Sequence, residues 1–263
     1  MMRALVALLL VSMIAPAHAA EVLLHAAGSL RGALTDVAQA FEAASGIKVQ
    51  AKWGPSGTLR DAIAAGERAE VFASANMAHP ESLAKAGKAA PVVLFARNRL
   101  CALVRPGLSV TPDTLLATIL RDDVKLATST PKADPSGDYA WEVFRKADAI
   151  RPGAFAALEK KALQLMGGAN SMTPPPGRAV YGWHIAEGRA DIFLNYCTAA
   201  AGAAAENPGQ QVVALPDTLA VGADYGLTAM NGAAPAAWRF ALFVMSGEGQ
   251  RILAQHGFAA PAL

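Results

Sequence analysis

Cysteine is scarce: the chain of 263 residues has only Cys101 and Cys197. A structural metal site wants more ligands at closer spacing, so a cysteine-built metal centre is excluded. In an oxidising compartment two such thiols can pair; the other reading is two buried small residues on separate strands. A charge of one sign is also lacking. Lys and Arg total 23 against 21 Asp and Glu, which gives no field for nucleic acid or an anionic membrane. Beyond residue 19 no apolar run approaches the roughly 20 residues needed to cross a bilayer. Catalytic signatures are missing as well. The sequence holds no Gly-x-Ser-x-Gly elbow, no His-Glu-x-x-His and no Gly-Lys-[Ser/Thr] loop. The stretch GPSGTLRD at Gly54–Asp61 is glycine-rich but lacks the phosphate-contacting lysine. His25, His79, His184 and His256 stand singly, in no cluster that suggests catalysis or metal ligation. No constellation supports an enzyme.

What is present begins with an export signal. Arg3 supplies a positive start, Ala4 to Ile14 an apolar run, and Ala17-His18-Ala19 the small residues read at a cleavage site. Residues 1–19 are therefore expected to be a removable signal peptide, cut after Ala19. No cysteine follows for lipid attachment, which places the remaining chain free in the periplasm. Hydrophobic residues make up 53% of the sequence. That is ample for a packed core, although alanine inflates it.

From residue 20 short apolar strands alternate with amphipathic helices, the pattern of mostly parallel α/β sheets. A strand at Val22–His25 leads through Ala26-Ala27-Gly28-Ser29 into a helix with Leu30, Leu34, Val37 and Phe41 on one face. A second strand, Ile47–Lys52, leads through Gly54-Pro55-Ser56-Gly57 into a helix carrying Leu59 and Ile63. Further strands are expected at 71–75, 99–104, 124–127, 191–196, 211–215 and 225–230. Helices are expected at 112–120, 138–146, 153–165, 177–187, 235–245 and 248–255, with a short one possible in the Ala-rich stretch 198–205. Several serines fall where a helix starts. There, free backbone N–H groups and the positive end of the helix dipole can hold an oxyanion. Each such serine either caps its own helix or turns its hydroxyl to a ligand. Their recurrence at the C-terminal ends of strands, where α/β sheets bind ligands, favours the second role.

The segment AAGSLRGALTDVAQAFEAASGIKV resembles the periplasmic molybdate-binding proteins of ABC importers. The likeness continues through GPSGTLRDAIAAGERAEVFASAN, DPSGDYAWEVF, AEGRADIFLNYCTAA and SGEGQRILAQHGF, in the order that family has them. The resemblance implies a two-lobed periplasmic binding protein fold. Each lobe would be a mostly parallel sheet flanked by helices, the two joined by crossovers near Arg99–Val104 and Leu215–Tyr225. Lobe one would be 20–98 plus 219–263, and lobe two 99–218.

It further implies an oxyanion, molybdate or tungstate, enclosed between the lobes by Ser29, Ser56, the backbone at Ser136, a backbone amide at Arg178, and Tyr196. No cofactor and no metal cation are expected, the metal entering only as an oxyanion. The implied partner is an inner-membrane ABC permease, the chain itself acting as a monomer. Two departures stand out. Gly28 is inserted before the first serine, as in the tungstate-binding branch, and Arg178 stands where the family has an apolar residue.

Hydroxyl and amide donors suit a fully deprotonated dianion. Phosphate keeps a proton and is best met by a carboxylate, for which Asp138 is the candidate; otherwise Asp138 is a first-turn helix carboxylate facing solvent. The Arg178 guanidinium either reaches the anion, favouring a sulfate-like, phosphate-like or small organic anion, or points to solvent and leaves only its backbone to serve.

Overall fold

A computed structural model describes residues 21–261; the expected signal peptide lies outside these residues. The strands are β1 (Glu21–Ala27), β2 (Lys48–Gly54), β3 (Val71–Ser74), β4 (Val93–Val104), β5 (Leu126–Ser129), β6 (Leu163–Met166), β7 (Ile192–Tyr196), β8 (Gln211–Ala214) and β9 (Gly222–Ala229). The helices are α1 (Arg31–Ser45), α2 (Ser56–Ala64), α3 (Ala78–Lys85), α4 (Pro112–Ile119), α5 (Pro135–Ile150), α6 (Ala154–Lys161), α7 (Val180–Ala186), α8 (Cys197–Glu206), α9 (Pro235–Met245) and α10 (Gly247–Gln255). A 3-10 turn, Gly28–Leu30, leads into α1. Among the described residues no helix is long and apolar enough to cross a membrane.

The pairing order divides the strands between two lobes. In the first, β1 pairs in parallel with β2 and β3, and β9 runs antiparallel beside β3. In the second, β5 is parallel to both β6 and β7. The long strand β4 belongs to both. Its first part, Val93–Arg99, pairs with β9, while Leu100–Val104 pairs with β7 and β8. The crossing strand therefore starts six residues earlier than its apolar run suggests. Arg97, Asn98 and Arg99 interrupt that run where β4 passes between lobes and its sides are only partly covered.

Local physics accounts for the elements that carry the site. On α1, Leu34, Val37 and Phe41 lie buried at helical spacing, and Gly46 ends the helix at φ 70°, a left-handed conformation that glycine adopts freely. Helix α5 starts sharply because Asp134 caps it, Oδ1 accepting from the Ser136 N–H at 3.0 Å, and Pro135 fills its first turn. By contrast, α2 begins at Ser56 with no side-chain cap, so no protein side chain occupies its leading amides.

Two elements depart from the expected pattern. Helix α3 is not among the expected helices; it carries Pro80 in its first turn, where proline is tolerated. The expected helix 153–165 stops at Lys161; Ala162 turns extended and Leu163–Met166 pairs with β5 as an edge strand. Cys101 on β4 and Cys197 at the start of α8 are joined in a disulfide, and among the described residues no cysteine is free.

Candidate functional site

The cleft collects the C-terminal ends of strands from both lobes, the edge at which α/β sheets bind ligands. From lobe one come Ser29, just after β1, Ser56 at the start of α2, and Ala75, just after β3. From lobe two come Asp134 and Ser136 at the start of α5, and Tyr196 at the end of β7.

The lobes touch here. The Gly57 N–H donates to the Ala133 carbonyl at 3.0 Å. The Tyr196 hydroxyl lies 3.4 Å from the carbonyl oxygen of Ala75, to which it donates. The N–H of that same Ala75 donates to Ser56 Oγ at 3.1 Å. Because Ser56 is accepting, its own proton remains available, and the side chain is 1% exposed. Ser29 Oγ pairs with the Tyr225 hydroxyl at 3.1 Å.

Ser29, Ser56, Ser136 and Tyr196 thus all lie along the cleft, but not all in the roles the resemblance implies. The Ser136 amide is taken by Asp134, its own cap, while Ser136 Oγ is fully buried without a hydrogen-bond partner. Ser129 Oγ, at the end of β5, is likewise buried, beside Asp134 and Tyr181. Buried hydroxyls nearly always have partners, so Ser136 Oγ is a group that a ligand can satisfy.

Arg178 is turned elsewhere. Its guanidinium bonds Glu206 and, at 2.9 Å, Asn207 Oδ1, both at the far end of α8. Its N–H donates to the Pro175 carbonyl at 3.1 Å. Asp138 accepts from the Lys132 N–H at 2.8 Å.

The carboxylate whose charge acts on Tyr181 and Tyr196 is Asp134, which sequence reasoning passed over as part of a turn. Burial pushes its carboxyl up to about 6, partly opposed by the Ser136 N–H. Three tyrosines were also missed: Tyr139, Tyr181 and Tyr225 gather here around the expected Tyr196. The ring centroids of Tyr196 and Tyr225 are 5.5 Å apart, and those of Tyr139 and Tyr196 6.3 Å. Burial, with the Asp134 charge adding for Tyr181 and Tyr196, holds these hydroxyls above the ordinary tyrosine range. They remain protonated donors at any physiological pH.

A separate hollow of about 690 Å³ lies by the hinge, lined by Arg97, Asn98, Arg99, Thr198 and His256 among others. Its lining includes none of the residues the resemblance assigns to the ligand. Among the described residues there is no grouping of His, Cys, Asp and Glu able to hold a metal ion.

Two lobes joined by crossing strands, with helix starts and hydroxyls facing across the gap, define a solute-binding protein of the two-lobed periplasmic class. Residues 22–259 match the family described as bacterial extracellular solute-binding protein, and the chain belongs to that family. It is 35% identical over 210 residues to Uncharacterized protein PM1146 of Pasteurella multocida (strain Pm70), covering 80% of this chain and 87% of that one.

Among solved structures it is similar to the periplasmic molybdate-binding protein of Azotobacter vinelandii, with a TM-score of 0.73 at 22% identity, covering 92% of this chain and 100% of that one. It is also similar to the sulfate-binding protein SubI of Mycobacterium tuberculosis H37Rv, with a TM-score of 0.73 at 20% identity, covering 92% of this chain and 87% of that one. At these identities the likeness establishes the fold.

Proposed function

We propose that this protein captures a tetrahedral oxyanion, molybdate or tungstate first, and delivers it to an inner-membrane ABC permease. It does so as a monomer in the periplasm after loss of residues 1–19. The lobes are 20–98 plus 219–263, and 99–218. No covalent step is involved; the work is binding and lobe closure, and the chain is not an enzyme.

One observation carries this reading: neutral donors from both lobes meet at one gap, with Ser29 and Ser56 on one side and Ser136 and Tyr196 on the other. Such a site meets the charge of an anion with oriented dipoles. A thermal-shift panel of molybdate, tungstate, sulfate and phosphate tests it. A bound anion present far above its dissociation constant raises the melting temperature. Ser56→Ala and Tyr196→Phe should each weaken binding about tenfold, the low end for hydrogen bonds to a charged group. Unchanged affinity in both variants would remove them from the site.

A second reading, a phosphate-like anion that keeps a proton, is favoured by Asp134, whose carboxylate can accept that proton. The version in which Arg178 supplies charge has less support, because Glu206 and Asn207 hold its guanidinium. Arg178→Ala is expected to leave the affinity for molybdate and sulfate unchanged by calorimetry. A loss confined to dianions would return the guanidinium to the cleft.

A further inference from the structure

The hydrogen bonds at the hinge have a direction that can be worked out atom by atom. The Arg99 N–H donates at 2.9 Å to the side-chain oxygen of Asn98. A backbone N–H can only donate, so that contact fixes which end of the Asn98 amide is the oxygen. The other end, Nδ2, faces Thr198 Oγ1 at 2.9 Å and the Tyr225 hydroxyl at 3.4 Å. An amide nitrogen can only donate as well, so the Tyr225 oxygen accepts there. Its own proton then goes to Ser29 Oγ, at 3.1 Å, the nearer of its two other hydroxyl neighbours, the second being Tyr196, which donates to Ala75. With a lone pair of Ser29 occupied from behind, the Ser29 proton is free for a third atom.

We propose that Asn98 and Tyr225 are positioning residues that set this proton order, so that Ser29 presents a hydrogen-bond donor, and not an acceptor, to the bound oxyanion. The inference rests on the oxyanion reading above. It assigns a role to two residues on the neighbouring strands β4 and β9, neither of which need touch the ligand. The order matters because a hydroxyl is ambivalent. A serine that has given its proton to Tyr225 has none left for an anion, and donating chains polarise each bond along them. Tyr225 is fully buried. Its ring packs edge-on against Phe95 and Phe258 at centroid distances of 6.3 and 5.4 Å, so the hydroxyl is held in place by its surroundings. The chain also spans the hinge, from Ser29 in lobe one to Thr198 on α8 of lobe two, beside the Cys101–Cys197 disulfide. Lobe closure and the aim of Ser29 therefore depend on the same few bonds.

Asn98→Asp tests the direction itself. A carboxylate in place of Nδ2 can only accept, so Tyr225 turns its proton toward residue 98 and draws the Ser29 proton onto itself. Molybdate binding to the full exported chain, by calorimetry, should weaken roughly tenfold, as much as for Ser29→Ala. Tyr225→Phe, which removes the fixing partner without reversing the order, should cost only a few-fold. The decisive measurement repeats Asn98→Asp in a Ser29→Ala background. The proposal expects no further loss there, since the proton being directed is gone. An equal further loss would mean that the new carboxylate merely repels the anion, and would overturn the relay. So would wild-type affinity in Asn98→Asp while Ser29→Ala binds weakly. Should Ser29→Ala itself bind molybdate like the wild type, or the wild type bind no anion, the site reading falls and the role of Ser29 with it.

Discussion

Gly57→Ala is expected to abolish tight oxyanion binding while leaving the ligand-free melting temperature close to that of the wild type. A Cβ at this position would lie 2.2 Å from the Lys132 carbonyl oxygen and 2.8 Å from that of Ala133. Both are backbone atoms of the opposite lobe, in a loop where Lys132 already sits at φ 68°. Real carbon–oxygen contacts are longer, and a backbone carbonyl has no rotamer by which to escape. The loop also cannot swing freely, since the Lys132 N–H is tied to Asp138 at 2.8 Å and the Asp134 N–H to Thr130 at 3.0 Å. The remaining response is for the lobes to stay apart.

Closure brings both halves of the donor set to one anion, so preventing it should cost on the order of 100- to 1000-fold in affinity, about 3–4 kcal/mol. The packing of each lobe is untouched, because the clash exists only when the two meet. Calorimetry with molybdate and small-angle scattering with and without it read the two halves of this expectation. Wild-type affinity together with ligand-induced compaction would show that α2 and the 130–134 loop need not touch for binding.

That contact also shows where sequence reading stops. Gly57 is legible as a turn glycine before a helix, and its helix, α2, falls where Leu59 and Ile63 place it. That this glycine abuts a carbonyl over seventy residues away follows only from the folded chain. Asn98 and Tyr225 are hidden for a similar reason. A polar residue among arginines reads as surface, and a tyrosine in a strand reads as core; their pairing depends on β4 and β9 lying side by side. Arg178 went the other way. The turn at Gly177 places it near a helix start, which suggests the cleft, but its partner Glu206 comes from a helix 28 residues on. Local periodicity fixed α1, α9 and β7 well, because each is set by its own buried face. It overran α6 because ALEKKALQLM keeps helical spacing, whereas Leu163–Met166 is held by pairing with β5.

The affinity for molybdate is expected to fall as pH rises above about 6, by up to about tenfold per pH unit until the Asp134 value of the bound form is passed. The group responsible is Asp134. In the free protein its carboxyl is pushed up from the ordinary 3.8 to about 6, chiefly by burial. It is therefore largely ionised at neutral pH and largely protonated below its own raised value. A dianion entering the cleft opposes a carboxylate there, so it binds best to the protonated form and raises the Asp134 value further. Binding then takes up a proton. The sign follows: affinity is level below pH 6, where the proton is already present, and declines as pH rises and the proton must be supplied from solution.

An anion that carries its own proton behaves oppositely. Phosphate with one hydroxyl donates it to the ionised carboxylate, so its affinity holds or improves as Asp134 ionises. Asp134→Asn separates the cases, since its side-chain oxygen can still accept from the Ser136 N–H and keep α5 capped. In that variant molybdate should bind with no slope between pH 6 and 8 and more tightly than to the wild type at pH 8, while phosphate should bind more weakly. Calorimetry in buffers of different ionisation enthalpy counts the protons directly. A wild-type molybdate affinity that stays flat across this range would place the Asp134 charge too far from the anion to matter, and a slope that survives Asp134→Asn would assign it to another group.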